Sequence, residues 1–174
     1  FFKLKNYCDK KNIIFFSTPF DCESVIFLNK LKVKLFKISS FDVVNSDLIN
    51  AIKKTKKPTI VSTGMASLNE IKECINLIKK YHNKVALLHC VSGYPTPESE
   101  ANLKRILTLK NNFKNMNIGL SDHTNNINTS IASIPYNAVF IEKHLPKEVE
   151  NNIVFHYYDT HDLIKSLKNK AKGL

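Results

Sequence analysis

Apolar residues along this chain gather in short runs, and each run gives way to polar residues. Six runs have strand length and are rich in β-branched or aromatic residues: IIFF at 13–16, VKLFKI at 33–38, PTIV at 58–61, VALLH at 85–89, NIGL at 117–120 and AVFIE at 138–142. Between them the apolar positions shift to a helical period. The clearest case is SLNEIKECINLIKK, where Leu68, Ile71, Ile75 and Ile78 share one face and Ser67 with Glu70 has capping-box spacing. Strand starts lie 20 to 32 residues apart, a separation that suits parallel strands joined by crossover helices. The runs are apolar almost throughout rather than alternating, so both faces of the sheet are expected to be covered. The pattern predicts an α/β fold of six strand–helix units, a single domain over residues 1–174 with no Pro- or Gly-rich linker dividing it.

The residues that follow each run carry the chemistry. They are STPFD (17–21), KISSFD (37–42), STGM (62–65), HCVSGYP (89–95), SDHT (121–124) and EKH (142–144). In parallel α/β folds the C-terminal strand ends share one rim, and ligands bind there. Taken alone, each fragment reads as an ordinary βα loop: a serine caps a helix, and a histidine such as His123 is a hydrogen-bonded structural residue. Six such fragments on one rim predict a site. Lys37 lies between Phe36 and Ile38 in a run expected to be buried, where an unpaired ammonium is costly. Gly64 suits either a tight turn or close backbone approach to a ligand, and His89 with Cys90 reads equally as core or as site.

Composition narrows the class. With 174 residues and 43% apolar content the chain can bury a sizeable core. It contains no run of eighteen apolar residues, and the opening FFKLKNYCDKKN has neither the apolar stretch nor the cleavage site of a secretory signal. A cytoplasmic protein is expected. Cys8, Cys22, Cys74 and Cys90 show no metal or disulfide spacing and are expected to be reduced core thiols. The 26 Lys and Arg against 15 Asp and Glu give a formal charge of +11. The lysines sit in helix-like segments (53–57, 77–84, 166–172) among asparagines rather than stacking aromatics. That distribution reads as a solvated basic face, and neither a nucleic-acid nor a membrane partner is expected.

In order, STPFD, KISS, STGM, ALLHC-x-x-x-YP, GLSDHT and IEKH resemble the sialic acid synthase (N-acetylneuraminate synthase) family, with its legionaminic and pseudaminic acid relatives, in register from Ile13 to His144. The resemblance implies a (β/α)8 TIM-barrel type fold that condenses phosphoenolpyruvate with an N-acyl mannosamine-type amino sugar. It also implies a divalent metal cofactor, commonly Mn2+, with Mg2+ or Co2+ as alternatives. The six units here match barrel strands three to eight, so the barrel is incomplete: the first two units and the C-terminal antifreeze-like domain have no counterpart. A homodimer, or a companion chain supplying the other strands, is the partner this implies.

By the same resemblance His123 and His144 are the metal ligands, and Lys37, Ser40, Ser62 and Ser121 bind the phosphate and carboxylate of phosphoenolpyruvate. Asp42 and Tyr94 line the sugar or metal region, Asp42 standing where many members carry Glu. Glu142 is a candidate to move protons, and Asp122 to orient an imidazole or bind a water.

The resemblance weakens after IEKH. There LPKEVENNIVFHYYDTHD replaces a GPDH-like tetrad, which sets Phe155 before His156 and leaves Asp159 as a substitute donor. Ile134-Pro135-Tyr136 also puts a proline where a helix is expected. Two further readings remain: a Schiff-base aldolase using Lys37 or Lys143, and a catalytically incomplete fragment that retains anion or metal binding.

Overall fold

The structure, a computed structural model, describes residues 1–144 and the backbone of 156–159. The chain divides into two compact units, Phe1–Ala86 and a second that begins at Leu87.

The first unit contains α1 (Phe2–Lys10), α2 (Cys22–Lys30), β1 (Phe36–Ile38), α3 (Ser46–Lys54), β2 (Thr59–Ser62) and α4 (Leu68–Lys79). The helices begin where their caps dictate. The Asp21 carboxylate accepts the Ser24 N–H at 2.6 Å at the start of α2, and Asn45 accepts from Leu48 at the start of α3. The expected capping box is formed: Ser67 accepts from the Glu70 N–H while the Glu70 carboxylate accepts from the Ser67 N–H at 2.7 Å. The apolar stripe of α4 buries Ile71, Cys74, Ile75 and Ile78. Strands β1 and β2 are parallel, with Lys37 opposite Ile60 and Ile38 opposite Val61. Phe36 and Ile38 are fully buried, so Lys37 points to the opposite face, the one it shares with Ile60 and Ser62.

One expected strand does not form. Ile13–Phe16 has no strand assignment, and Ile13 and Ile14 are 50% and 60% exposed. Its β-branched and aromatic composition supplies propensity, but that propensity reports the fit of side chains to a pleated surface, and here the isoleucines face solvent while Phe15 packs edge-on against Phe1.

Strand β3 (Val85–Cys90) runs across the division. The second unit continues with α5 (Lys104–Asn112), β4 (Asn117–Asp122), α6 (Asn128–Ala132), β5 (Phe140–Lys143) and β6 (His156–Asp159). Strands β4 and β5 are parallel, while β6 lies antiparallel on β5 with Glu142 opposite Tyr157. The antiparallel β6 was not expected from the apolar runs. Its side chains, and Phe155, lie outside the described residues, so the sequence readings of Phe155, His156 and Asp159 lie there too. Pro135 does not break a helix: α6 ends at Ala132, and Pro135 sits at the start of a separate 3-10 turn over Ile134–Tyr136.

Along β4 and β5 the pleat sorts residues onto two faces. Leu120 and Ile141 are paired and both 2% exposed, and Asp122 and Lys143 lie on that same face. Gly119, Ser121, Phe140 and Glu142 lie on the other. Gly119 is required there, because a Cβ would stand 2.4 Å from the Phe140 ring and 2.5 Å from its carbonyl oxygen.

Among the described residues the four cysteines are free thiols. Cys74 and Cys90 are buried as expected, but Cys8 is half-buried and Cys22 exposed, so the core assignment holds for two of the four. Burial pushes the Cys74 thiol up to about 12. Among the described residues no helix is long and apolar enough to cross a membrane.

Candidate functional site

At the C-terminal ends of β1 and β2, small polar residues replace the apolar runs. The Ser40 hydroxyl accepts the Gly64 N–H at 3.0 Å, tying the two strand ends together. Gly64 does not use the left-handed region, so its N–H rather than its φ is what the structure uses. Lys37 is half-buried. Ser62 is 3% exposed, and its hydroxyl has no hydrogen-bond partner among the described residues. A buried hydroxyl left unpaired is unfavourable, so a donor of this kind beside a lysine on the same face suits an anionic ligand. Asp42 is engaged locally, accepting from Ser39 at 2.6 Å and from Asn45 at 3.3 Å. Those bonds close the 3-10 turn Phe41–Val44 that precedes α3.

In the second unit the residues after β3, β4 and β5 form an aromatic cluster. Tyr94 stacks on His123 with centroids 4.0 Å apart. His144 meets both rings edge-on, at 5.3 Å from Tyr94 and 5.4 Å from His123. Two imidazoles that share one ion at about 2.1 Å have centroids roughly 5 Å apart, so the pair is spaced for a common cation.

The His123 ring is fixed from behind. Its Nδ1–H donates to the Val91 carbonyl at 2.6 Å, which makes Nε2 the lone-pair nitrogen of the neutral ring. Backbone anchoring of this type is how metal-binding imidazoles are held. The hydroxyls of Tyr94 and Ser121 lie 3.0 and 3.1 Å from Nε2. Among the described residues no group of three or more His, Cys, Asp or Glu is placed to hold a metal ion. Among the described residues the two imidazoles are the donors that could share an ion, and water or substrate oxygens would fill its remaining positions.

Glu142 is 4% exposed and accepts a hydrogen bond from the directly paired Ser121, Oγ to Oε1 2.7 Å. Tyr94 is 63% exposed as a residue. Burial of its hydroxyl end, with Cys90 and Glu142 adding to it, pushes the phenol above its ordinary value.

Asp122 differs from its sequence reading. Among the described residues its carboxylate bonds to no imidazole directly. Its carboxylate accepts from the Thr124 N–H and hydroxyl at 2.9 and 2.8 Å, from the Ser130 hydroxyl, and from Lys143 at 2.9 Å. The reason is the pleat, which turns Asp122 to the face opposite Ser121. Burial alone pushes this carboxyl up, but the bonds from Ser130, Lys143 and Thr124 outweigh it and hold the group below its ordinary value. An ionised carboxylate with this many donors is an anchor rather than an acid or base.

The same pair bears on the Schiff-base reading, since the Lys143 amine is engaged by the Asp122 carboxylate and the Thr124 carbonyl, on the face away from the rings. His89 resolves as core. It is 1% exposed and its Nε2–H donates to the Ala101 carbonyl at 2.8 Å.

Sequence reasoning passed over Val91, whose contribution is a backbone carbonyl, and Thr96, whose N–H donates to the His123 carbonyl at 2.9 Å. Neither leaves a side-chain signal in the motif. Thr124 and Ser130 were also missed, although a hydroxyl two residues after an Asp is a recognisable Asx-turn partner.

Residues 1–158 match the NeuB family. The chain is 46% identical over 141 residues to the N,N'-diacetyllegionaminic acid synthase of Campylobacter jejuni, covering 79% of this chain and 42% of that protein. Its structure superposes on the N-acetylneuraminic acid (sialic acid) synthetase of Leptospira borgpetersenii, solved with citrate, at a TM-score of 0.80. That pair is 36% identical over 86% of this chain and 53% of the other. A phospho-2-dehydro-3-deoxyheptonate aldolase (DAHP synthase) of Thermotoga maritima is alike in fold, with a TM-score of 0.73 at 15% identity, over 98% of this chain and 54% of that one. The chain thus spans less than half of the curated relative and about half of each solved neighbour.

Proposed function

The chain belongs to the NeuB family, and from that membership we propose that it is part of a synthase that condenses phosphoenolpyruvate with an N-acyl mannosamine-type amino sugar to give a nonulosonic acid. In this reaction C3 of phosphoenolpyruvate attacks the aldehyde carbon of the open-chain sugar and forms the new C–C bond. Water adds at C2, and phosphate departs with cleavage of the C2–O bond. Lys37, Ser40 and Ser62 are the anion-binding groups. The support for this is the buried Ser62 hydroxyl, unpartnered among the described residues and on the face that carries Lys37: a phosphate or carboxylate would pair that hydroxyl, and a charge-assisted bond from Lys37 would add to it.

His123 and His144 would hold a divalent cation, Mn2+ with Mg2+ or Co2+ as alternatives. When bound, such an ion supplies polarisation of the sugar carbonyl. The ring spacing of 5.4 Å, with His123 fixed by Val91, is the observation that carries this assignment. Glu142 would hold or move a proton, a role supported by its hydrogen bond from the Ser121 hydroxyl. Tyr94 lines the cluster from an exposed position and is available to a sugar.

The chain covers only part of its relatives, so the barrel of eight units would be completed by further sequence of a longer parent or by a companion polypeptide. Phosphate release from phosphoenolpyruvate and N-acetylmannosamine-type sugars, measured with and without that added segment, tests the proposal. Release that needs the segment and a divalent metal, and that disappears in His123→Ala, supports it. Trapping of a pyruvate adduct by borohydride at Lys37 or Lys143 would replace it with the aldolase reading.

A further inference from the structure

A single buried ion pair lies behind both imidazoles. Asp122 and Lys143 are register partners at the ends of β4 and β5, and each immediately precedes one of the two histidines. Asp122 is 2% exposed, and the pair closes at 2.9 Å on the face away from the rings. The pair also governs the backbone that carries His123. Asp122 Oδ1 accepts the Thr124 N–H, which forms an Asx turn with His123 at its centre. The Lys143 ammonium spans that turn, donating to Asp122 Oδ2 and, at 2.8 Å, to the Thr124 carbonyl. Ser130 from α6 holds the same carboxylate, and the Thr96 N–H holds the His123 carbonyl at 2.9 Å.

We propose that Asp122 and Lys143 are positioning residues: together they clamp the Asx turn around His123 to the strand that carries His144, and so set the separation and orientation of the two rings. The physical argument is one of degrees of freedom. A strand end is free to fray, and a ring on the following residue inherits that motion. Here the lysine of β5 bonds to the residues on both sides of His123, so the two ring-bearing backbones move as one. The rim face stays available to ligand because the Asp122 and Lys143 side chains lie on the opposite face.

This inference rests on the metal assignment for one of its two readouts only. The first readout is the His123 Nδ1–H proton in the metal-free full chain, observed by nitrogen-15 side-chain spectroscopy and held by the Val91 carbonyl in the structure. The second is Mn2+ affinity by calorimetry. Lys143→Met, with its fold checked by circular dichroism, is expected to lose or broaden the Nδ1–H signal and to weaken Mn2+ binding about ten- to a hundredfold, the usual effect of removing a group behind a metal ligand. Lys143→Arg is expected to restore most of both.

Should Lys143→Met fail to fold, Asp122→Asn serves in its place, since it keeps the acceptor for Thr124 and gives up the charge. The inference is overturned if the folded variant keeps the proton signal and binds Mn2+ within twofold of the parent, or if Lys143→Arg is as impaired as Lys143→Met. A parent chain that shows the signal but binds no Mn2+ would refute the metal assignment, and the clamp would then stand or fall on the signal in Lys143→Met.

Discussion

The Ser121 hydroxyl lies 2.7 Å from the Glu142 carboxylate, between directly paired positions of neighbouring parallel strands. Glu142 is 4% exposed, so this bond offsets part of the cost of keeping an acid out of water. Ser121→Ala is expected to destabilise the fold by about 1–3 kcal/mol, the range for removing a donor from a buried polar partner. Urea denaturation measures this, and an unchanged midpoint would show that the bond contributes nothing.

Gly119 and Phe140 approach too closely for any side chain at 119, and the conflict involves backbone as well as ring. Gly119→Ala is expected to cost about 1–3 kcal/mol through overpacking. Shrinking the ring in Gly119→Ala with Phe140→Leu should recover only part of that, because the Phe140 carbonyl oxygen remains. Full recovery in the double variant would place the whole conflict in the ring.

Tyr94 and the proposed cation would compete for the same atom. The phenol lies 3.0 Å from His123 Nε2, the nitrogen left to bind an ion. Losing a typical hydrogen bond, about 1 kcal/mol, converts to roughly a fivefold gain in affinity for the competitor. Tyr94→Phe is therefore expected to bind Mn2+ up to fivefold more tightly while keeping the stacked ring. Calorimetric titration reads it, and weaker binding would mean that the phenol assists the ion instead.

The pH dependence of stability follows from His89. Burial pushes its pKa below the ordinary histidine value, and Arg105 nearby adds to this, while the bond to the Ala101 carbonyl acts in the opposite direction. A depressed folded-state pKa means that the unfolded chain takes up a proton first. The stabilising difference is thus complete above about pH 6.5 and is lost as pH falls below it toward the folded-state value. His82, also lowered by burial and by Lys84, works in the same window. His89→Gln should flatten the decline in stability between pH 7 and 5 without abolishing it. A decline as steep as the parent's would assign it to other groups.

How much of this was legible depends on the range of the interaction. The capping box of α4 and the apolar stripe behind it are local, and they stand in the structure as the sequence reads. Ile13–Phe16 reads as a strand by the same local criteria, yet a strand exists only beside a partner, and its isoleucines face solvent. Three of the motifs, those after β3, β4 and β5, supply Tyr94, His123 and His144, which meet in one cluster because neighbouring parallel strands end on the same side. Asp122 was misread for a reason available in the sequence. Adjacent strand residues point to opposite faces, so Ser121 and His123 share a side that Asp122 cannot. Its true partners, Lys143 and Ser130, are twenty-one and eight residues away, and no local pattern pairs either with it.

Ser62 separates the needs of the fold from those of a ligand. Its hydroxyl is buried and finds no partner among the described residues. Such a group lowers stability, so replacing it with an apolar atom of similar size should be neutral or favourable. Ser62→Ala is therefore expected to melt at or slightly above the parent temperature in the absence of ligand. If the hydroxyl is kept for an anion, the same variant should gain less protection from phosphate or phosphoenolpyruvate, because a ligand stabilises only in proportion to its affinity for the folded state. Paired melting curves with and without each anion give both quantities in one experiment. A variant that melts lower without ligand would show that the hydroxyl already serves the fold. Equal protection in parent and variant would remove Ser62 from the anion site while leaving Lys37 and Ser40 to be tested in the same way.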